Sequence, residues 1–231
     1  MAAQKYRTLA QIRGRIQREI DLQEEVFVRP CELLEYINDA IDDAEACIHT
    51  LYEDYFLSRQ IIPLVENQQD YALPDDIYAH KIRRIVYNNE SNVYTIARIQ
   101  DWYKFEQENI AQNFITSDLY RYFIVNFTPG DPKIHLVPQS REDGPFMQVW
   151  YLRQANQLVN DDDICDIPEF YNFIYAYVKV KVLDKEFHPG AAKADAELRE
   201  QRARMEGTLA AMVPDARNEI EMDMEFYEDQ Y

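Results

Sequence analysis

The spacing between apolar residues changes twice along this 231-residue chain, and those changes of period constrain the fold more than any motif does. From Thr8 to Ile20, the residues Leu9, Ile12, Ile16 and Ile20 recur every three or four positions with Arg13, Arg15 and Arg18 between them, which predicts an amphipathic helix over 8–20. After Val28-Arg29-Pro30, the residues Leu34, Ile37, Ile41, Ala44, Ile48, Leu51 and Tyr55 keep that spacing and predict a long helix over 31–56. Its other face, Glu32, Asp39, Asp42, Asp43 and Glu45, reads as a solvated or channel-facing acidic side. From Leu57 the period becomes two.

The segments IIPLV and DYALP read as strands around a turn at residues 66–70. KIRRIVY and VYTIARI read as a hairpin across NNESN, and RYFIVNF and KIHLVP as a second hairpin across TPGDP. A short helix capped by Asp101 is expected between the hairpins, and PFMQVWYLR supplies a further strand. Helices return after the acidic loop NDDDICD. Asp166, with Pro168 and Glu169 behind it, has the composition of a helix start, and the apolar run that follows predicts a helix over 167–187 for the middle of a bundle or an interface. His188-Pro189-Gly190 stops it, and a last helix over 191–212 carries Leu198, Met205, Leu209 and Met212 on one stripe. The order of elements predicts an α+β fold. It is a helical bundle, one long N-terminal helix plus two C-terminal helices, with a central antiparallel β-rich insert over about 57–155. One domain is expected over residues 1–212, followed by an extended C-terminal tail over 213–231.

That tail follows a different rule. Ile220, Met222, Met224 and Phe226 alternate with Glu219, Glu221, Asp223 and Glu225, a ribbon with one apolar edge that suits binding a partner as an added strand. The competing readings are an acidic solubilising end and a strand pairing back onto the β insert.

Charge narrows the function classes. There are 24 Lys and Arg against 42 Asp and Glu, a formal net charge of -18, which opposes any role in gripping nucleic acid phosphates. A hydrophobic content of 47% keeps such a chain in the globular range. The charge is also polarised. Through residue 20 it is +4, and from Val213 onward it is -6. Opposite ends of this kind orient head-to-tail contacts between copies, with Arg13, Arg15 and Arg18 as basic inter-subunit contacts, or else the arginines solvate the first helix.

Catalytic signals are sparse. The four histidines are scattered without ligand spacing, and the five glycines form neither G-x-G-x-x-G nor a P-loop. Asp161, Asp162, Asp163 and Asp166 read as a solvated loop ahead of a helix and not as a Mg²⁺ site. Cys31, Cys47 and Cys165 fit buried thiols in a reducing compartment. No signal peptide and no apolar run of membrane-spanning length is expected, so synthesis in a cytoplasm without membrane attachment follows. No metal, no cofactor and no enzymatic activity are expected.

ELLEYINDAIDDAEACI, LVENQQDYALPDDIYAHKIRRIVYN and DDDICDIPEFYNFIYAYVKVKVLDK follow one another in the chain. In that arrangement the sequence resembles the head-to-tail connector adaptors of tailed bacteriophages, with an E-L-L-x-x-I/L-N-x-A helix, a Y-x-L-P-x-D turn between strands and D-x-P-x-x-Y/F leading into an aromatic helix. The resemblance implies a structural virion protein at the head-tail junction, made in the host cytoplasm. It further implies a ring, commonly twelve-fold, beneath the portal protein. That ring extends the DNA channel without specific DNA binding and offers its far side to tail or nozzle proteins. Carried over, Ile220, Met222, Met224 and Phe226 fall in the portal-docking segment, and the helices over 32–56 and 167–186 pack the ring. The alternative is a soluble, non-viral protein-binding module using the β insert and the acidic tail.

Overall fold

The structure, a computed structural model, describes residues 6–20, 28–89, 91–100, 103, 119–128 and 131–212. Their elements are α1 (Leu9–Ile20), α2 (Pro30–Leu51), β1 (Leu57–Pro63), β2 (Asp70–Ala72), β3 (Ile77–Asn89), β4 (Asn92–Arg98), β5 (Arg121–Thr128), β6 (Asp131–Val137), β7 (Phe146–Arg153), α3 (Tyr171–Lys185) and α4 (Ala191–Met212). The expected ribbon over 213–231 and most of the short helix after Asp101 lie outside the described residues. The chain packs as two units, residues 1–52 with 157–231, and residues 53–156.

In the helical unit, α3 is central and packs against α1, α2 and α4. Its apolar circumference explains this: Tyr171, Phe173, Ile174, Tyr175, Ala176, Val178 and Val182 are all buried. The amphipathic stripe of α1 buries Leu9, Ile12 and Ile16 as the spacing requires. Helix α2 buries Leu33, Ile37, Ala40, Ile41, Ala44 and Ile48, so the stripe begins at Leu33 and not at the expected Leu34, while Leu51 is exposed. Ion pairs then fasten the surface: Lys185 to Glu32 at 2.7 Å, Lys179 to Glu197 at 2.8 Å and Arg202 to Asp43 at 2.6 Å.

Two helix boundaries differ from expectation. Helix α2 ends at Leu51, and residues 53–56 form a 3-10 turn. The cause is Phe56, which is 1% exposed and has the Arg153 guanidinium 4.9 Å above its ring, so the β unit claims it and the α-helix cannot continue. At the other end of the helical pair, Pro168–Phe170 is a 3-10 turn whose N-cap, Ile167, makes no side-chain cap hydrogen bond, and the α-helix proper starts at Tyr171.

The β unit is one seven-stranded sheet in the order β1-β7-β3-β4-β5-β6-β2. All expected strands are present. The pairing between β4 and β5 is parallel, however, where an antiparallel insert was expected. More than twenty residues join these strands, ample for a parallel crossover, whereas short turns join the antiparallel pairs β3/β4 and β5/β6. The weight of the fold also differs from a helical bundle with an insert. Fourteen buried residues, from Leu64 to Tyr151, form a continuous core on one face of the sheet, whereas α4 buries only Ala194, Met205 and Leu209.

The sheet is curled. Its edge strands β1 and β2 stand at opposite ends of the strand order, yet only residues 64–69 join them. A flat sheet would separate the edges by six spacings, about 29 Å. The link from Pro63 to Asp70 spans at most about 25 Å fully extended, and it contains a turn with Asn67 at φ 61°. Tyrosine fixes the curl. The Tyr71 hydroxyl, inside the core, accepts the Val65 N–H at 3.2 Å and is 3.3 Å from the carbonyls of Val65 and Gln68. Tyr151 donates to Asp76 at 2.7 Å, Tyr87 donates to Glu142 at 3.1 Å, and the Tyr120 hydroxyl accepts the Arg141 N–H. A buried ring with a polar tip thus packs the concave face and ties a loop at once. Tyr71→Phe leaves the Val65 amide without that acceptor and is expected to cost about 1–3 kcal/mol, read from the denaturant midpoint.

Candidate functional site

Among the described residues no cleft gathers convergent catalytic groups, and the features described below lie on surfaces. The N-terminal basic residues are largely engaged within their own unit. Arg13 pairs with Asp161 at 3.0 Å, and Arg15 pairs with Glu19 at 2.7 Å while stacking 4.2 Å over the Tyr175 ring. Arg18 is exposed. Arg7 lies 5.1 Å over Tyr171, and its backbone N–H donates to the Tyr171 hydroxyl at 2.7 Å. Burial pushes that tyrosine up to about 12 and Cys165 beside it up to about 12, so both stay protonated.

The acidic loop has a structural task. The first free amides of α1, Leu9 and Ala10, donate to the carbonyls of Asp163 and Asp161 at 2.9 and 3.0 Å. The Asp163 carboxylate accepts the backbone N–H groups of Asn160 and Val159, both at 2.7 Å, and these hold it below the usual carboxylate range. Among the described residues, no three His, Cys, Asp or Glu side chains converge as a metal site would require.

Acidity is unevenly shared. The helical unit has 14 Lys and Arg against 28 Asp and Glu, whereas the β unit has 10 against 14. The face of α2 expected to be open is only partly so. Asp39 and Asp42 are exposed, Glu32 and Asp43 are ion-paired, and Glu45 is 7% exposed with its oxygen 3.5 Å from His49 Nε2. The 22-residue helix puts Glu45 next to Ala44 and Ile48 on the packed side, where His49 one turn on meets it.

The carboxylates of Glu32 and Glu53 are held low, the first by Lys185 and then by the Arg29 backbone, the second by Lys81 and Arg83. Such groups stabilise the fold fully above their unfolded values near 4.5 and lose that contribution as pH falls through their lower folded values. Asp42, exposed as a residue but with its carboxyl partly desolvated and close to Glu45 and Asp39, is raised and works in the opposite direction. The fall in melting temperature between about pH 5 and pH 3 is therefore expected to be smaller in an E32Q/E53Q variant than in the parent.

On the β unit, three of the exposed apolar residues lie on or just after β1. Leu57 is 42% exposed, Ile61 51% and Val65 46%. Among the described residues β1 pairs only with β7, leaving its other edge open. A groove of about 430 Å³ runs between β1 and β2, lined by Gln60, Ile61 and Ile62 on one side and by Tyr71, Leu73 and Asp75 on the other. On the outward face, register places Arg59, Trp150 and Arg84 in one cross-strand row, with the Arg59 guanidinium 5.6 Å over Trp150. A bulge in β3 puts Ala79 and His80 at φ 47° and 55° and leads Lys81 and Arg83 onto Glu53.

Sequence reading missed three features. Phe187 is 95% exposed, at φ 50°, in the turn between α3 and α4. The open β1 edge and the β3 bulge likewise leave no mark in the apolar period. The ribbon residues Ile220, Met222, Met224 and Phe226 have no described position.

Two comparisons bear on this arrangement. A family model described as SU10 adaptor protein matches residues 7–219, which takes in both units. The chain belongs to the SU10 adaptor protein family. Membership makes it a phage head-to-tail adaptor, a structural virion component that meets other head and tail proteins. The match stops one residue before the alternating apolar positions begin at Ile220. No curated protein matches the chain. No helix among the described residues is long and apolar enough to cross a membrane.

Proposed function

We propose that this adaptor sits beneath the portal, closes with further copies into a ring that extends the DNA channel, and offers the far side of that ring to a tail or nozzle protein. The observation that carries the reading is the division between two separately packed units of one adaptor-family chain, a strongly acidic helical unit and a less acidic sheet. Helices α2 and α3 pack the ring. Of the three basic residues expected between copies, Arg18 is the exposed one and supplies that contact, whereas Arg13 and Arg15 are held in pairs within their own unit. An acidic lumen repels phosphates, so duplex DNA passes without the fixed cation contacts that would hold it. A twelve-fold ring is the expected stoichiometry, and asymmetric head-to-tail interfaces that close are the way a bipolar subunit forms one.

The ribbon Ile220, Met222, Met224 and Phe226 docks on the portal as an added strand, its apolar edge against the acceptor and its acids outward. Removing residues 213–231, or replacing those four residues with Ser, is expected to abolish co-purification with the cognate portal protein. Undiminished co-purification of both variants contradicts the docking role. Asp161, Asp162 and Asp163 changed to Asn are expected to leave portal binding intact, since the loop serves α1. A Mg²⁺-dependent nuclease activity lost in that variant would contradict a purely structural loop.

A further inference from the structure

We infer that the groove between β1 and β2 accepts the ribbon Ile220–Phe226 of a second copy of this chain as an added strand, completing the curled sheet. The inference rests on the ribbon acting as an added strand and names its acceptor in the free protein.

The groove has what an incoming strand requires. Strand β1 presents seven residues with an open edge among the described residues, and the ribbon has seven residues from Ile220 to Phe226. An open edge of that length is an unprotected template for strand addition. Pro63, at the end of β1, is the one proline on it, and no charge points inward, since the inward positions are Ser58, Gln60 and Ile62 opposite Tyr151, Val149 and Met147. The groove wall is mixed, with Ile62, Tyr71 and Leu73 deep, Ile61 and Val65 at the rim, and Gln60, Gln68 and Asp75 as its polar members.

The ribbon's alternation fits that wall in one orientation. Ile220, Met222, Met224 and Phe226 turn inward, and Glu219, Glu221, Asp223 and Glu225 turn to the outward face. On that face the ribbon meets Arg59, which shares a row with Arg84 and stands between the exposed Leu57 and Ile61, so one of its acids stands beside an opposite charge across the new pair of strands. Asp75 is the one charged side chain lining the groove itself, and it keeps the acidic face of the ribbon from turning inward. Seven residues, Val213 to Glu219, separate α4 from the first apolar position and reach about 25 Å when extended, enough to leave one copy for another. Giving a strand to one neighbour and receiving one from another is a heterologous contact, the kind that closes rings. The portal then competes with the groove for the same ribbon.

Two experiments on the full-length chain test this. A Q60C chain mixed with an M222C chain, both carrying C31S to remove the exposed native thiol, is expected to give a disulfide-linked pair on mild oxidation that neither chain gives alone. An R59E/I61E variant, altered only at exposed side chains, is expected to weaken self-association at least tenfold by analytical ultracentrifugation while still co-purifying with the portal. Absence of the mixed cross-link, or a cross-link that forms only when both cysteines are in one chain, overturns the inference. Unchanged association of R59E/I61E overturns it as well and leaves the portal-docking reading standing, because that reading fails only when loss of the ribbon leaves portal binding intact.

Discussion

Residues 53–156 expressed alone are expected to fold into a β protein with a cooperative thermal transition. The two ends of this segment are already neighbours, since Leu57 and Leu152 are register partners on adjacent antiparallel strands, with Cα atoms about 5 Å apart. Fourteen buried residues line one continuous core, and four tyrosines tie its loops through their hydroxyls. A segment of about 100 residues buries well over half of its unfolded surface, enough for independent stability. The helices contribute none of the core side chains of the sheet. Circular dichroism with a β signature and a sigmoidal melt is the expected outcome. A linear, non-cooperative melt would show that the sheet depends on the helical unit.

Phe173→Ala in the full chain is expected to be the most damaging single substitution in the helical unit. The side chain is 2% exposed in the first turn of α3, the helix that touches α1, α2 and α4. Its ring stands 6.1 Å from that of Tyr177, with the Arg202 guanidinium 6.0 Å from its centroid. Deleting a buried aromatic ring costs about 3–5 kcal/mol, from lost transfer energy and the cavity left behind. Against a total stability of about 5–15 kcal/mol, that loss brings the unit close to unfolding at ambient temperature. Phe173→Leu keeps most of the volume and is expected to cost about 1–2 kcal/mol. Chemical denaturation followed by far-ultraviolet circular dichroism separates the two, and equal, small losses would contradict the central place given to α3.

Much of this fold is written in the period of the apolar residues. Leu9, Ile12 and Ile16 place α1, Ile37, Ile41, Ala44 and Ile48 place α2, and the change to alternation at Leu57 marks where the strands begin. What the period cannot carry is pairing between segments remote in sequence. The parallel contact of β4 with β5 and the curl that brings β1 towards β2 arise from connection lengths and from tyrosine hydroxyls reaching loops. Burial of Glu45 was equally hidden, because an acidic residue on a helix reads as solvated until its position beside His49 and Ile48 is known. Phe56 shows the same limit at a boundary, since its spacing continues α2 while its packing belongs to the sheet. The candidate surfaces divide along that line. The ribbon is visible as an alternation of Ile220, Met222, Met224 and Phe226 with acids, whereas the groove offered to it exists only once the sheet has curled.

The family assignment also shows where resemblance ends. Phrases spanning residues 32–185 point to the phage adaptors, and the family match over 7–219 agrees with them. The distinctive ribbon begins where that match stops, so its role rests on the alternation of its own side chains.

Electron microscopy of the full-length chain mixed with its cognate portal tests the central claim most directly. The account predicts a closed ring of additional density on one face of the portal, coaxial with its channel and lost when residues 213–231 are removed. Portal particles that remain bare at saturating concentrations of the chain, or that bind it without rotational symmetry, would contradict it.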